Sequence, residues 1–368
     1  MPFCKKACHY CDFHFSTSFK KKSAIINALC QEIILRKEEL SGEKIQTIYF
    51  GGGTPSVCTI TEINQIINTI YANFSVSAAP EITLEANPDD LNEAKISDLA
   101  HTKINRLSIG VQSFCEADLQ LMNRAHKADE AMQCLLLAKK YFQNISIDLI
   151  YGIPGMTNER WQQNLTTALL LKLPHISSYA LTVEKNTALE KLIKNGKIDA
   201  VNDTSAAAHY QILTETLEKE GYVNYEFSNF GKPQFFSQNN TAYWQGKKYL
   251  GIGPSAHSFN GMQRSWNVAN NTLYLNGIQH NKPMFQVENL STTDRFNEYI
   301  MTGLRTMWGV SLPKIAADFG GNYLKHLEKH SQIHLNNEVL LLSDQCLHLT
   351  KKGKFLGDGI ASDLFFLN

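Results

Sequence analysis

The chain has 368 residues, 43% of them hydrophobic and 19% charged, which suits a substantial core divided between one large and one small domain. Lys plus Arg and Asp plus Glu both number 35, and this balance disfavours nucleic acid as a partner. No apolar run approaches the roughly 20 residues that cross a bilayer, and the polar, cysteine-rich start is unlike a signal peptide, so we expect a cytoplasmic protein.

Three cysteines, Cys4, Cys8 and Cys11, open the chain with the spacing C-x3-C-x2-C. In a reducing compartment, closely spaced cysteines are more often metal ligands or catalytic groups than disulfides. Three thiolates on a four-iron cluster leave one iron open, as a reaction needs. A zinc site completed by His9 or His14 is the alternative at this point.

Helices and strands alternate from residue 20 to about 228. Helices are predicted over 21–40, 60–73, 93–101, 127–142, 158–171 and 204–220, and strands over 44–50, 80–87, 105–113, 145–154, 175–184 and 222–227. This alternation predicts βαβ units and one parallel sheet. A (β/α) barrel and an open doubly wound sheet both place ligands at the carboxyl ends of their strands, so the pattern leaves both topologies open.

Polar and glycine residues gather at the predicted strand ends. GGGTP (51–55) follows the first strand, and its glycines allow close backbone approach and expose amide groups to a polar ligand. Glu85, Gln112 and Asp148 end the next three strands in turn. One polar side chain per successive strand, all at one edge, is the distribution expected of a shared pocket.

The composition and the pattern of predicted elements change after about residue 235. A glycine- and aromatic-rich connection (238–261) leads into predicted helices over 291–308, 311–318 and 321–330 and then a winged-helix-like ending. We therefore predict three parts, which are a core over 1–235, a connection over 236–290 and a C-terminal module over 291–368.

The motifs, taken in order, resemble those of the radical S-adenosylmethionine (SAM) superfamily and, more narrowly, the oxygen-independent coproporphyrinogen III oxidase-like group. The resemblance covers nearly the whole chain and rests on C-x3-C-x2-C, GGGTP, EANPDD, RLSIGVQSF, MNRAH, DLIYGIPG and YLGIGPSAHSF. It implies an α/β fold with a partial (β/α)6 TIM-like barrel and a small C-terminal α+β winged-helix-like domain.

The resemblance also implies a cofactor site. Cys4, Cys8 and Cys11 would hold a [4Fe-4S] cluster, and its open iron would chelate SAM. The implied SAM contacts are Tyr10, Gly52, Gly53, Thr54, Glu85, Gln112, Arg124, Asp148 and Ala180. No separate catalytic residue is expected.

Phe13 separates two branches of this group. The oxidases carry a further cysteine two residues after the third, whereas the haem chaperone branch carries Phe there, as this chain does. The resemblance therefore implies a protein that binds haem and passes it to respiratory proteins, some of them membrane-associated, with an electron donor for the cluster. An active oxidase-type radical SAM enzyme of porphyrin biosynthesis and a cluster-free binding module are the alternatives.

Two features depart from the chaperone pattern. The branch carries HNxxYW, but Asn239 stands where its His is expected, and Asn ligates haem iron poorly compared with imidazole. His257 is then a candidate ligand, although a histidine packed at a domain junction is an equally good interpretation. The family also has a strand ahead of PFC, so we expect the first barrel strand to be missing through a late-assigned start or truncation. An exposed sheet edge there should weaken cluster retention.

Overall fold

A curled, seven-stranded half-barrel sheet forms the larger part of the computed structural model, which describes residues 1–367. The strand order is β1-β2-β3-β4-β5-β7-β6. The strands are β1 (Ile45–Phe50), β2 (Val76–Ala86), β3 (Arg106–Gln112), β4 (Asn144–Tyr151), β5 (His175–Ala180), β6 (Val223–Glu226) and β7 (Asn229–Gly231). The accompanying helices are α1 (Lys22–Leu35), α2 (Ile60–Asn73), α3 (Glu93–Ala100), α4 (Glu116–Leu121), α5 (Ala128–Tyr141), α6 (Asn158–Leu170), α7 (Ala188–Lys194) and α8 (Asp203–Lys219).

Strands β1 to β5 are parallel neighbours, so their carboxyl ends meet at one edge of the sheet. The central strand β3 is buried along its whole length, as expected for a strand covered on both faces. Helix α2 begins at a capping box in which Thr59 and Glu62 each accept a backbone hydrogen bond from the other. This cap starts the helix shortly after the GGGTP loop and carries the chain back along the sheet.

The prediction of a wholly parallel sheet is wrong at its far end. The run predicted as one strand over 222–227 is the first arm of a hairpin, and the unpredicted strand β7 lies between β5 and β6, antiparallel to both. The chain turns at Phe227 and Ser228, and the carbonyl of Ser228 accepts a hydrogen bond from the Ser178 amide. Two short β-rich runs so close together are hard to distinguish from one strand by pattern alone.

Residues after the hairpin add a small antiparallel sheet, in the order β10-β9-β8, and two helices, of which α9 packs against β1 and α10 against α1. Its elements are α9 (Gln238–Trp244), β8 (His257–Phe259), β9 (Gln263–Asn267), α10 (Asn271–Gln279) and β10 (Phe285–Asn289). Tyr274, Leu275 and Ile278 of α10 belong to the same hydrophobic core as the barrel strands.

The C-terminal module has its own core, which includes Phe296, Ile300 and Leu327. Its elements are α11 (Thr292–Leu304), β11 (Val310–Ser311), α12 (Leu312–Asp318), α13 (Gly321–Asn336), β12 (Leu340–Ser343), β13 (Cys346–Leu349), α14 (Lys351–Lys354) and α15 (Gly357–Asp363). Its three-stranded antiparallel sheet, in the order β11-β13-β12, confirms the predicted α+β character. Within residues 1–367, no helix combines the length and apolar character needed to cross a membrane.

Candidate functional site

The three N-terminal cysteines lie on a loop across the carboxyl ends of the barrel strands. Cys4, Cys8 and Cys11 are free thiols and partly buried. The loop is anchored by Phe3, whose side chain is fully buried, and by the amide of Cys4, which donates to the Ser16 carbonyl at 3.1 Å. The loop is therefore fixed on the barrel rather than free in solvent.

Two of the thiols receive hydrogen bonds from side chains of the barrel. Thr54 Oγ1 donates to Cys4 Sγ at 3.3 Å, and Arg124 Nη1 donates to Cys8 Sγ at 3.2 Å. Burial raises the pKa of Cys4 and raises that of Cys11 to about 11. Donated hydrogen bonds offset only part of the effect of burial, so binding to an electron-poor metal centre would be what favours the thiolate forms.

A four-iron cluster fits these cysteines better than a single metal ion. Over the described range 1–367, no three His, Cys, Asp or Glu side chains lie close enough to share one ion. The two histidines considered for zinc are engaged elsewhere, since His9 Nδ1 lies 2.8 Å from the Leu121 carbonyl and His14 Nε2 lies 2.8 Å from Asn271 Oδ1. In a cluster, each thiolate binds its own iron, so the sulfurs need not converge on one point.

Asn87 connects the two contacted thiols, although the sequence assigned it no role. Its Oδ1 accepts a hydrogen bond from Arg124 Nη2 at 2.7 Å, and its Nδ2 donates to Thr54 Oγ1 at 3.3 Å. Arg124 Nη2 also donates to the carbonyl of Gly110 at 2.8 Å. A continuous hydrogen-bond network therefore runs from Cys4 through Thr54, Asn87 and Arg124 to Cys8.

Gly110 is a second residue that the sequence analysis missed. A Cβ at this position would lie 2.9 Å from Gln112 Nε2 and 3.3 Å from Arg124 Nη2. The absence of a side chain lets the guanidinium reach the strand carbonyl. Gln112 itself is buried at the end of β3 with a φ of 69°, at an irregularity in the pairing of β3 with β4. The signal available beforehand was only that a glycine interrupts a fully buried strand.

The glycines of GGGTP make a close approach to the N-terminal residues. Gly53 N donates to the Met1 carbonyl and Thr54 N to the Phe3 carbonyl, both at 2.7 Å. Gly52 has a φ of 106°, and its amide bonds to Glu85. Protein acceptors therefore already use the amides of these three residues, and their contacts with SAM stay a prediction.

Two carboxylates lie on neighbouring parts of the sheet, Glu85 next to the end of β2 and Asp148 three residues before the end of β4. Tyr49 Oη donates to Glu85 Oε1 at 2.7 Å, and Ser108 Oγ donates to Asp148 Oδ1 at 3.4 Å. Burial raises the pKa of Glu85 to about 7, and the negative charge of Asp148 also raises it. Burial raises the pKa of Asp148 to about 6, an effect that the neighbouring Arg106 partly offsets. Such carboxyl groups are suited to a ligand that brings positive charge or hydrogen-bond donors.

The remaining predicted contacts lie at the same edge. Tyr10 Oη is 3.4 Å from Arg124 Nη1, and burial raises the pKa of the Tyr10 phenol. Ala180 ends β5, half-buried and paired in register with Tyr151 of β4. The structure thus brings the cysteine loop, Thr54, Arg124 and Tyr10 into contact. Glu85, Gln112 and Ala180 lie at or next to strand ends, whereas Asp148 lies three residues inside the end of β4.

A large cavity of about 1420 Å³ lies between β1 and the segment 236–257. Asn239 is on its wall, where Asn239 Oδ1 accepts a hydrogen bond from Thr47 Oγ1 at 3.0 Å and the Asn239 amide donates to Glu81. His257 is exposed at the rim, with its ring stacked on Trp266 at a centroid distance of 5.9 Å. Asn239 is therefore committed to the protein, whereas His257 remains accessible.

Comparison with known proteins agrees with this architecture. The radical SAM superfamily matches residues 1–168, and the HemN C-terminal domain matches residues 290–356. The chain is similar to the heme chaperone HemW of Lactococcus lactis, with 33% identity covering 98% of this chain and 94% of the relative. It is similar also to the heme chaperone HemW of Bacillus subtilis, with 32% identity covering 98% of this chain and 96% of the relative.

A solved structure supports the fold. Coproporphyrinogen III oxidase (HemN) from Escherichia coli, described as a radical SAM enzyme, superposes with a TM-score of 0.86 at 22% identity, covering 99% of this chain and 88% of that chain. The cysteine loop, the half-barrel and the two near-full-length relatives lead to one assignment. The chain belongs to the radical SAM superfamily and, within its coproporphyrinogen III oxidase-like group, to the HemW haem chaperone branch.

Proposed function

We propose that this protein is a haem chaperone that binds a [4Fe-4S] cluster, SAM and haem and delivers haem to respiratory proteins. The observation that carries this proposal is the near-full-length similarity to two heme chaperones at 33% and 32% identity. Phe13, at the position where the oxidases carry a further cysteine, supports the same branch, and its side chain is 69% exposed. The cluster and SAM belong to the core over 1–235 and not to the C-terminal module.

Cys4, Cys8 and Cys11 would hold the cluster, which supplies the single electron needed for reductive cleavage of SAM when it is bound. Thr54 and Arg124 stabilise the thiolates through the hydrogen bonds to Cys4 and Cys8. Arg124 also places one positive charge in a buried setting, where it offsets the negative charge of a thiolate-ligated cluster.

Glu85 and Asp148 provide the complementary negative end of the site. Because burial raises the pKa of both groups towards neutrality, a cationic ligand at this edge would favour their ionised forms. SAM carries an ammonium and a sulfonium group, which match that requirement. Tyr49 holds Glu85 in position through its 2.7 Å hydrogen bond.

The second candidate function is an active oxidase-type radical SAM enzyme, favoured by the superposition with coproporphyrinogen III oxidase. Anaerobic reconstitution of the full chain, followed by incubation with SAM, a reductant and coproporphyrinogen III, separates the two. The chaperone proposal expects iron and sulfide to be incorporated, haem to bind, and no decarboxylated porphyrinogen to form. Substrate-dependent 5′-deoxyadenosine together with decarboxylated product would overturn it in favour of the enzyme. Reconstitution without any iron or sulfide would favour a cluster-free binding module.

A further inference from the structure

His257 stands out among the twelve histidines of the chain by its position and its free ring. Two histidines, His14 and His257, line the large cavity between β1 and the segment 236–257. His14 Nε2 is held by Asn271 at 2.8 Å. Within residues 1–367, neither ring nitrogen of His257 has a hydrogen-bond partner, and the residue is exposed at the cavity rim.

We infer that His257 is the protein ligand of the haem iron, an assignment that rests on the proposed haem chaperone function. Imidazole is a common axial ligand of haem iron, and the alternative position, Asn239, offers only an amide. The side-chain oxygen of Asn239 already accepts a hydrogen bond from Thr47, and binding to iron would break that hydrogen bond.

The surroundings of His257 suit a flat, apolar macrocycle. His257 and Trp266 are directly paired across β8 and β9, and Phe259, two residues on, lies on the same face. The Phe259 ring contacts Tyr249 at 6.1 Å between centroids, and Tyr249 contacts Tyr243 at 5.6 Å. We call these five rings the aromatic wall. Tyr243 is 48% exposed, so the wall presents ring surface to solvent beside a free imidazole.

The charges near the wall are also suited to haem, which carries two carboxylates. Lys44, Lys247 and Lys248 line the cavity. Lys248 pairs with Glu43 at 2.7 Å, whereas Lys44 and Lys247 form no ion pair within the described residues. Two ammonium groups without an ion pair among the described residues, lining the same cavity as Tyr243, Tyr249 and His257, provide the counter-charges that a dicarboxylate porphyrin needs.

The ionisation state of the ring is compatible with iron binding. Burial, together with the nearby guanidinium of Arg264, lowers the pKa of His257 below its usual value. The imidazole is therefore neutral at pH 7, and a neutral imidazole is the form that binds metal. Trp266 stacks on the ring with an interplanar angle of 25°, which limits its orientation.

The test is a haem titration of the anaerobically reconstituted full chain and of three variants. His257→Ala should bind haem at least tenfold more weakly, and its absorption and resonance Raman spectra should lack the signature of histidine ligation. Added imidazole should restore that signature. Trp266→Leu should weaken haem binding while keeping the histidine-ligated spectrum. His330→Ala, which removes an exposed histidine of α13 far along the chain from the cavity, is the matched control and should behave like the wild type.

The outcomes separate this inference from the function on which it rests. If the wild type binds haem and His257→Ala binds it with the same affinity and spectrum, the assignment of His257 is wrong and the chaperone proposal stands. If the wild type binds no haem, both are overturned. Iron and sulfide contents equal to those of the wild type show that each variant retains its fold and cluster loop.

Discussion

Replacing Arg124 by Gln tests whether the hydrogen-bond network beneath the cysteine loop stabilises the protein. Arg124 donates to Asn87 at 2.7 Å and to the Gly110 carbonyl at 2.8 Å, and its side chain is largely buried. Hydrogen bonds from a charged donor contribute about 1.5–3 kcal/mol each. Part of this gain is offset by the desolvation of the guanidinium, whose Nε has no partner, so we expect a net loss of about 2–4 kcal/mol.

The assay is chemical denaturation of the cluster-free chain under anaerobic, reducing conditions, with the free energy of unfolding as the readout. Lys314→Gln is the matched control because it also removes a cation, but from an exposed pair with Asp318. Such pairs are worth at most about 1 kcal/mol. An Arg124 variant that loses no more stability than the Lys314 variant would show that the network does not stabilise the protein.

Three further predictions concern the same edge of the barrel. The folded state holds the Glu85 proton up to about pH 7, against 4.5 for the free side chain. The free energy of unfolding should therefore fall by up to about 3 kcal/mol as the pH rises from 4.5 to 7. Glu85→Gln should flatten this pH dependence. A variant with the same pH profile as the wild type would contradict the raised pKa of Glu85. Gly110→Ala should lower the free energy of unfolding by about 1–3 kcal/mol, because the added Cβ would crowd Arg124. Gly359→Ala is the control, since a Cβ there would have no atom within 4 Å, and equal losses in the two variants would rule out the crowding. Phe13→Cys should not make the protein decarboxylate coproporphyrinogen III, because the Phe13 side chain is 69% exposed and lies outside the hydrogen-bond network from Cys4 to Cys8. A decarboxylated product in a chromatographic assay would show that this position alone separates the two branches.

The sequence was sufficient to predict the alternation of strands and helices and the edge at which the polar groups gather. Those features depend on local patterns, and Glu85 is indeed the next-to-last residue of β2, whereas Asp148 lies three residues before the end of β4. The role of Asn87 could not be predicted, because its partner Arg124 is 37 residues away and only the folded barrel brings the two together.

Two other features depend on contacts or lengths that a local pattern does not contain. Glycines in GGGTP indicate close approach, but a pattern cannot say whether a ligand or another part of the chain approaches. Here Met1 and Phe3 take the amide hydrogen bonds of Gly53 and Thr54. Strand β7 was missed because three residues, Asn229–Gly231, give too short a run to distinguish from a loop.

The proposed haem chaperone function is tested most directly by the amount of haem that the reconstituted chain binds at saturation, measured from the haem absorption that remains with the protein after gel filtration. A haem chaperone should retain haem in a fixed ratio to the chain. Haem that separates completely from the protein would contradict the proposed function.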